Sequence, residues 1–241
     1  MWNRFMTAEA VLLAAATLTT AASADEAAVR ATLERTFPQM PIQAIEKTPV
    51  PGIVEAAVGG KVFYITDDGR FILGGPLLDV AENRNLTAAR LEQVNAIAFD
   101  SLNLDWAIKL VKGKGTRRIA IFEDPDCPFC KSLEKTLGEV DDLTIYIFLY
   151  PIDQLHPEAA AKSRAVWCAP DRAKAWSEIM RSGTVPAGPA TCATPIKEIA
   201  DFARQHRIDG TPTSILADGR RLVGAVPRTD LERALQKAAK P

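Results

Sequence analysis

The chain has 241 residues, of which 47% are hydrophobic and 24% are charged, and its formal net charge at pH 7 is −1. A chain of this length forms one large domain or two smaller ones. The near-neutral charge gives no overall reason to expect nucleic-acid binding, which normally needs a basic face. Only two histidines, His156 and His206, accompany the four cysteines. We therefore expect no metal and no organic cofactor.

Residues 1–24 have the three parts of a signal peptide. Arg4 supplies a positive charge, Ala10 to Leu18 form a short apolar run, and Ala22-Ser23-Ala24 is a small-residue cleavage site. The run is shorter than the roughly 20 apolar residues that span a bilayer. The alternative is an ordinary N-terminal helix. We expect cleavage near Ala24 and export to a compartment in which disulfides persist.

Residues 25–82 are predicted to form a small antiparallel β domain that begins with a short helix. Asp25 to Phe37 carries apolar residues at helical spacing. Strand-like runs then alternate with turns that contain Gly or Asp, in the order Ile53–Val58, Gly59-Gly60, Lys61–Thr66, Asp67-Asp68-Gly69 and Arg70–Leu73. A domain this small buries little surface alone, so we expect it to need a partner.

Residues 83–105 are predicted to be a linker with a helix over Leu86–Phe99, and residues 106–241 a second domain. The predicted strands of that domain are Trp106–Val111, Arg118–Phe122, Leu143–Leu149, Ser214–Leu216 and Arg221–Val223. The predicted helices are Lys131–Leu137, Pro157–Trp167, Asp171–Arg181, Pro195–Gln205 and a last helix from Thr229, with a capping box to Glu232. The order is thioredoxin-like with a helical insertion, so the fold class is α+β followed by α/β.

The segment Cys127-Pro128-Phe129-Cys130 follows a predicted buried strand directly and begins a predicted helix. A thiolate is the nucleophile in disulfide exchange, and a helix N-terminus favours its negative charge. Pro128 suits the first turn, where its missing N–H costs nothing. The spacing predicts that Cys127 is the exposed attacking cysteine and Cys130 the more buried resolving one. Half of a zinc site and a static disulfide are the alternatives.

A second motif, Gly210-Thr211-Pro212-Thr213, lies just before a predicted strand. A proline that opens a buried strand is unusual unless the backbone has a special shape, which a cis Thr211–Pro212 bond would provide. The alternative is an ordinary turn. We expect this segment to lie beside Cys127 and to offer the Thr211 backbone to an extended substrate peptide.

The other two cysteines, Cys168 and Cys192, lie in the helical insertion. One interpretation is a structural disulfide, which would stabilise the insertion by a few kcal/mol. A second redox pair is the alternative.

Polar residues near the cysteine pair also have two interpretations. Glu123 and Asp124 end the strand before Cys127. A buried carboxylate here could relay a proton when Cys130 attacks, but we favour the alternative of a solvated turn. His156 and His206 are assigned to a loop and to a helix surface, away from the site.

The chain resembles the periplasmic disulfide isomerase family of the DsbC/DsbG type over nearly its whole mature length. The matching segments are Phe63–Gly69, Asp124–Cys130, Tyr150-Pro151, Ala165–Ala169, Asp171-Arg172 with Ala175-Trp176, and Gly210–Pro212. The resemblance implies a cystatin-like N-terminal domain that forms a homodimer through residues 25–80, a linker helix, and two thioredoxin-fold domains that face a shared cleft. It also assigns Cys168 and Cys192 to a structural disulfide and Pro212 to a cis-proline.

The resemblance implies a thiol:disulfide interchange protein, an isomerase or reductase of misfolded exported proteins in the periplasm. Its mixed disulfide would form at Cys127 and be resolved by Cys130, and a membrane thiol reductant of the DsbD type would keep both reduced. The dipeptide Pro128-Phe129 departs from the Gly-Tyr of better-known members, and this dipeptide tunes the redox potential. A dithiol oxidase, a sulfenic-acid reductase and a non-enzymatic chaperone are therefore alternatives.

Overall fold

The structure is a computed structural model that describes residues 24–239, so the predicted signal peptide lies outside the described residues except for Ala24. Within this part the chain divides into two compact units. Residues 24–58 with Phe63–Gly74 form the first, and Gly59–Val62 with residues 75–239 form the second. In the described range, no helix has both the length and the apolar character needed to cross a membrane.

The first unit packs one helix against a four-stranded sheet in the order β1-β2-β3-β4. Val29 and Leu33, one helical turn apart, are fully buried against the sheet residues Ala56, Val58 and Ile65. This cluster is the core of the unit. Its elements are α1 (Ala24–Thr36), β1 (Ile42–Lys47), β2 (Ile53–Val58), β3 (Lys61–Thr66) and β4 (Ile72–Leu73).

The predicted turn between β3 and β4 requires its glycine. Gly69 has φ +72°, and a Cβ there would lie 2.8 Å from the carbonyl oxygen of Ala28 on α1. The Thr32 hydroxyl donates a hydrogen bond to the Gly69 carbonyl oxygen at 2.8 Å. The turn thereby joins the sheet to the helix.

The second unit begins with β5 (Leu78–Asp79), β6 (Arg84–Asn85) and α2 (Leu86–Val94), whose N-terminus is capped by the Asn85 side chain. The prediction of a linker helix as far as Phe99 is wrong beyond Val94. The Ile97 N–H instead donates to the Gly219 carbonyl oxygen at 2.9 Å, and Ile97 and Phe99 enter the core of this unit. Two single 3₁₀ turns, Phe99–Ser101 and Leu104–Trp106, complete the connection.

The rest of the second unit is a five-stranded sheet in the order β11-β10-β8-β9-β7, with helices on both faces. The central strands β8 and β9 are parallel, and the other pairs are antiparallel. The elements in chain order are β7 (Ile108–Lys112), β8 (Arg117–Glu123), α3 (Pro128–Gly138), β9 (Leu143–Leu149), α4 (Ala159–Cys168), α5 (Arg172–Ser182), α6 (Ile196–Gln205), β10 (Thr213–Leu216), β11 (Arg221–Val223) and α7 (Arg228–Ala238). This is the thioredoxin-like fold with a helical insertion.

Strand β8 is buried on both faces, which explains its continuous apolar sequence. Ile119 and Ile121 point into the core that includes α3, α5 and α7, whereas Ala120 and Phe122 point into the core that includes α6. The Phe122 ring stacks on the Phe148 ring of β9 at 4.9 Å between centroids. The end of β8 is therefore rigidly placed, and the cysteine pair follows it.

Candidate functional site

Cys127 caps the N-terminus of α3, and Pro128 is the first residue of that helix. The Lys131 N–H donates to the Cys127 carbonyl oxygen at 3.1 Å, which closes the first helical turn. The Cys127 N–H donates to the Asp124 carbonyl oxygen at 3.1 Å, so the link from β8 is short and hydrogen-bonded. This position places the sulfur at the end of the helix where free N–H groups favour negative charge.

The segment Gly210–Pro212 lies beside Cys127. The Thr211–Pro212 peptide bond is cis, and the Cys127 sulfur donates a hydrogen bond to the Thr211 carbonyl oxygen at 3.4 Å. The Gly224 N–H donates to the Pro212 carbonyl oxygen at 2.8 Å and so ties the segment to the end of β11. The structure thus brings the two motifs together.

Cys127 is much less exposed than the sequence predicts. Its exposed fraction is only 4%, compared with 0% for Cys130, because it lies against the Thr211 backbone. Both are free thiols. Phe129, between them, is 62% exposed and presents an apolar ring to solvent beside the pair.

Cys130 lies in an environment that disfavours its ionisation. Burial raises the pKa of the Cys130 thiol far above its usual value, and the negative charge of Glu123 raises it further. Cys130 is therefore protonated at neutral pH. The arrangement leaves Cys127 as the more accessible sulfur and Cys130 as a thiol that must lose its proton before it can attack.

Asp124 is fully buried, and its carboxylate joins neighbouring loop segments through three hydrogen bonds. It accepts hydrogen bonds from the Asp126 N–H at 2.8 Å, the Ile152 N–H at 2.8 Å and Nδ1 of His156 at 3.0 Å. His156 lies in a loop, as predicted. The prediction that it lies away from the site is wrong, since its ring contacts the Asp124 carboxylate, three residues before Cys127. Asp124 is therefore a buried, hydrogen-bonded residue and not a solvated turn residue.

Glu123 is also fully buried, but it lacks such partners. Among residues 24–239, no group donates a hydrogen bond to either of its carboxylate oxygens. Burial raises the pKa of Glu123 well above its usual value, and the neighbouring Glu134 carboxyl raises it further. A negative charge on Cys127 acts in the same direction. Glu134 is a residue that the sequence interpretation missed, although its position four residues after Cys130 on α3 places both on one helix face.

Cys168 and Cys192 are joined by a disulfide with a Cα–Cα distance of 5.7 Å. It connects the end of α4 to the loop before α6. The Trp167 indole N–H donates to the Ala193 carbonyl oxygen at 3.2 Å beside it. The Arg172 guanidinium lies 3.8 Å from the centroid of the Trp167 ring and covers that side chain. This bridge is part of the packing of the helical insertion.

Comparison with known proteins identifies both parts of the chain. Residues 104–239 match the family model of a thioredoxin-like domain, and residues 20–88 match that of the disulfide bond isomerase protein N-terminal domain. The chain is 43% identical over 210 residues to the probable thiol:disulfide interchange protein DsbC of Bordetella avium, with 87% of this chain and 74% of that protein covered. It is 29% identical over 226 residues to DsbC of Escherichia coli K12, with 91% of each covered.

A solved structure agrees with these matches. The disulfide interchange protein of Neisseria gonorrhoeae is 44% identical, with a TM-score of 0.56, and its whole chain is covered by 58% of this one. The two family models match in the order N-terminal domain, then thioredoxin-like domain, and the second contains Cys127 and Cys130. The chain belongs to the DsbC family of thiol:disulfide interchange proteins.

Proposed function

We propose that the protein is a disulfide isomerase that also acts as a reductase, and that it works on misfolded exported proteins through a mixed disulfide at Cys127 that Cys130 resolves. The observation that carries the proposal is the asymmetry of the pair. Cys127 lies at the N-terminus of α3 beside the Thr211 carbonyl oxygen, whereas Cys130 is fully buried and its thiol pKa is raised. Family membership supports the same chemistry.

The reaction begins when the Cys127 thiolate attacks one sulfur of a substrate disulfide. A bond forms between Cys127 and that sulfur, and the other substrate sulfur leaves as a thiolate. In isomerisation, a second substrate thiolate attacks the mixed disulfide and releases Cys127, so the substrate gains a new bridge without net oxidation. In reduction, Cys130 attacks Cys127 instead, the substrate leaves as a thiol, and the protein retains a Cys127–Cys130 disulfide.

The substrate peptide binds in extended form along the Thr211–Pro212 segment, next to Cys127. Phe129 adds an exposed apolar contact on the other side of the sulfur. The dipeptide Pro128-Phe129 sets the redox potential and with it the balance between isomerisation and reduction. The Cys168–Cys192 bridge is structural and takes no part in exchange.

The cycle takes place in the periplasm after cleavage of residues 1–24. The cysteine pair has to be returned to its reduced form in an oxidising compartment, so a membrane dithiol of the DsbD type is the expected reductant. We expect no nucleic-acid partner.

The experiment that tests this function uses a scrambled multi-disulfide protein with no added oxidant. The wild-type protein, reduced beforehand, should restore native activity to the scrambled substrate, and Cys127→Ser should restore none. Cys130→Ser should accumulate a covalent complex with the substrate, because the mixed disulfide forms but is not resolved. Ser132→Ala, on the same helix turn, is the control. Equal recovery with Cys127→Ser would indicate a non-enzymatic chaperone, and recovery that requires oxidant would indicate an oxidase.

A homodimer through residues 25–82 is part of the proposal. The support lies in β4, an edge strand of the first sheet, on which Ile72 and Leu73 are exposed together with the preceding Phe71. An exposed apolar edge strand is a template for pairing with another chain. Residues 83–105 link this domain to the catalytic domain formed by residues 106–241.

Sedimentation at micromolar concentration should give a dimer for the wild-type chain and a monomer for Leu73→Lys. A lysine at the edge disfavours strand pairing because its charge would have to be buried. Val111→Lys, which changes an exposed apolar residue on the edge strand β7, is the control and should stay dimeric. A wild-type monomer would remove the dimer from the proposal.

A further inference from the structure

A partly buried ion pair lies next to Cys127. Asp126 directly precedes Cys127, and both oxygens of its carboxylate accept hydrogen bonds from the Lys162 ammonium of α4, at 2.8 and 2.9 Å. The side chains of Asp126 and Lys162 are only 22% and 23% exposed. The Asp126 N–H also donates to Oδ1 of Asp124 at 2.8 Å, so this aspartate is held at its backbone and at its side chain. Its carboxylate and the ammonium are therefore fixed beside the nucleophile.

The stability of α4 does not require this contact. Lys162 already has a partner on its own helix turn, since Oε2 of Glu158 lies 3.1 Å from its Nζ. The hydrogen bonds to Asp126 instead join α4 to the loop that precedes α3. Hydrogen bonds to Asp126 and, to a smaller extent, to Glu158 raise the pKa of Lys162. The ammonium is therefore charged at neutral pH and below.

The carboxylate of Asp126 on its own would disfavour a thiolate at Cys127. Consecutive Cα atoms are about 3.8 Å apart and both side chains are short, so their charges interact within the roughly 10 Å that salt at 0.1 M leaves unscreened. Two negative charges this close repel each other. The Lys162 ammonium lies on the carboxylate and offsets its charge. The positive end of α3 then acts on the sulfur without opposition from Asp126.

We propose that Lys162 offsets the charge of Asp126 and thereby sets how readily Cys127 ionises and how strongly the cysteine pair oxidises. Lys162 is a positioning residue, because it acts on Cys127 through Asp126 and needs no contact with the substrate. This inference rests on the proposed function, since it names a residue that adjusts the same nucleophile.

The redox consequence follows from the stability of the reduced form. A thiolate that forms easily stabilises the reduced protein and makes its disulfide a stronger oxidant. In exchange with glutathione, two electrons pass from two glutathione thiols to the Cys127–Cys130 disulfide, and one glutathione disulfide forms. One of the two thiol protons stays on Cys130, and the other goes to solvent when Cys127 is a thiolate. The ion pair thus acts on the redox potential in addition to the Pro128-Phe129 dipeptide.

Other titratable groups also surround Cys127, and the test has to leave them unchanged. They are Glu123 and Asp124 at the end of β8, Cys130, Lys131 and Glu134 on α3, and His156 in the loop after β9. Every variant compared below keeps all of them. Differences between the variants therefore report the charges of Asp126 and Lys162.

Alkylation of the reduced full-length protein by uncharged iodoacetamide between pH 3 and pH 10 measures ionisation of Cys127, with the modified peptide followed by mass spectrometry. Lys162→Met should raise the pH of half-maximal alkylation by about 0.5–1, and Asp126→Asn should lower it by about as much. The double variant has neither charge and should return to within about 0.3 of the wild type. Lys162→Arg keeps the positive charge and should also match the wild type.

Equilibration with glutathione at pH 7 provides a second readout. The equilibrium constant for reduction of the disulfide should fall by about threefold to tenfold in Lys162→Met and rise by about as much in Asp126→Asn. Lys197→Met and Asp201→Asn remove the charges of an exposed ion pair on α6 and serve as controls that should match the wild type in both measurements.

The two single variants separate a charge effect from a structural one. Each breaks the same contact, so a contact that only holds the loop would move both profiles in the same direction, and that result would overturn the proposal. Unchanged profiles in both, or a double variant that stays displaced from the wild type, would overturn it as well. Failure of the wild-type protein to rescue a scrambled substrate would instead overturn the proposed function, because alkylation involves no substrate disulfide.

Discussion

Replacement of Asp124 by alanine is expected to lower the free energy of unfolding by about 3–5 kcal/mol, as for other buried charges that lose their partners. The fully buried carboxylate accepts three hydrogen bonds, from the Asp126 and Ile152 N–H groups and from the His156 ring. Alanine leaves all three donors without an acceptor. Each hydrogen bond to a charged group contributes about 1.5–3 kcal/mol, so the loss of several explains the size of the effect.

Urea unfolding of the reduced protein at pH 7 measures this change. Asp124→Asn should give an intermediate loss, because one amide oxygen still accepts hydrogen bonds while the amide nitrogen faces a donor. Asp153→Ala, an exposed aspartate next to Ile152 in the same loop, is the control and should stay within about 0.5 kcal/mol of the wild type. A loss below about 1 kcal/mol for Asp124→Ala would show that these hydrogen bonds contribute little.

The parts of the fold that were predicted correctly are those with local signals. The continuous apolar run of β8 and the Cys-Pro pair at the start of α3 predict a buried strand followed by a helix, which the structure has. Strand β9, Leu143–Leu149, and strand β2, Ile53–Val58, have the predicted bounds. The spacing of apolar residues along a strand or helix shows which of its residues are buried. In these elements burial depends on neighbours in the same sheet or on the same helix face, so the local pattern is sufficient.

The predictions that were wrong concern positions decided by distant contacts. Ile97 continues the helical pattern of α2 in the sequence. In the structure its N–H instead bonds to the carbonyl oxygen of Gly219, far along the chain, and its side chain packs in the core. The capping box predicted at Thr229 is absent, because α7 begins at Arg228 after Pro227. His156 carries no local sign that it contacts Asp124, since the two come from separate loops. Only the three-dimensional arrangement shows such pairs.

The roles of the two neighbouring carboxylates before Cys127 are also visible only in the three-dimensional arrangement. Glu123 and Asp124 look alike in the sequence, because both are acidic residues at the end of one predicted strand. In the structure the Asp124 side chain meets three donors, whereas the Glu123 side chain meets none among the described residues and lies near Glu134. Their substitution should therefore have opposite effects on stability.

Glu123→Leu is expected to raise the free energy of unfolding by about 1–3 kcal/mol at pH 8, the usual cost of a buried polar group without a partner. Leucine fills a similar volume and needs no hydrogen bond.

The pH dependence identifies the cause of this gain. Burial raises the pKa of Glu123 in the folded state above its unfolded value of 4.5, so the folded state binds the proton more tightly. The stabilisation from this proton is complete below the unfolded pKa and is lost as the pH rises through the folded pKa. The wild-type protein thus loses stability between pH 5 and pH 8 that Glu123→Leu retains, and the difference between them should widen toward pH 8. Urea unfolding of both reduced proteins at the two pH values measures it, with the exposed Glu139→Leu as control. If the stability difference between Glu123→Leu and the wild type were the same at both pH values, or larger at pH 5, the buried charge of Glu123 would not be the source of the gain.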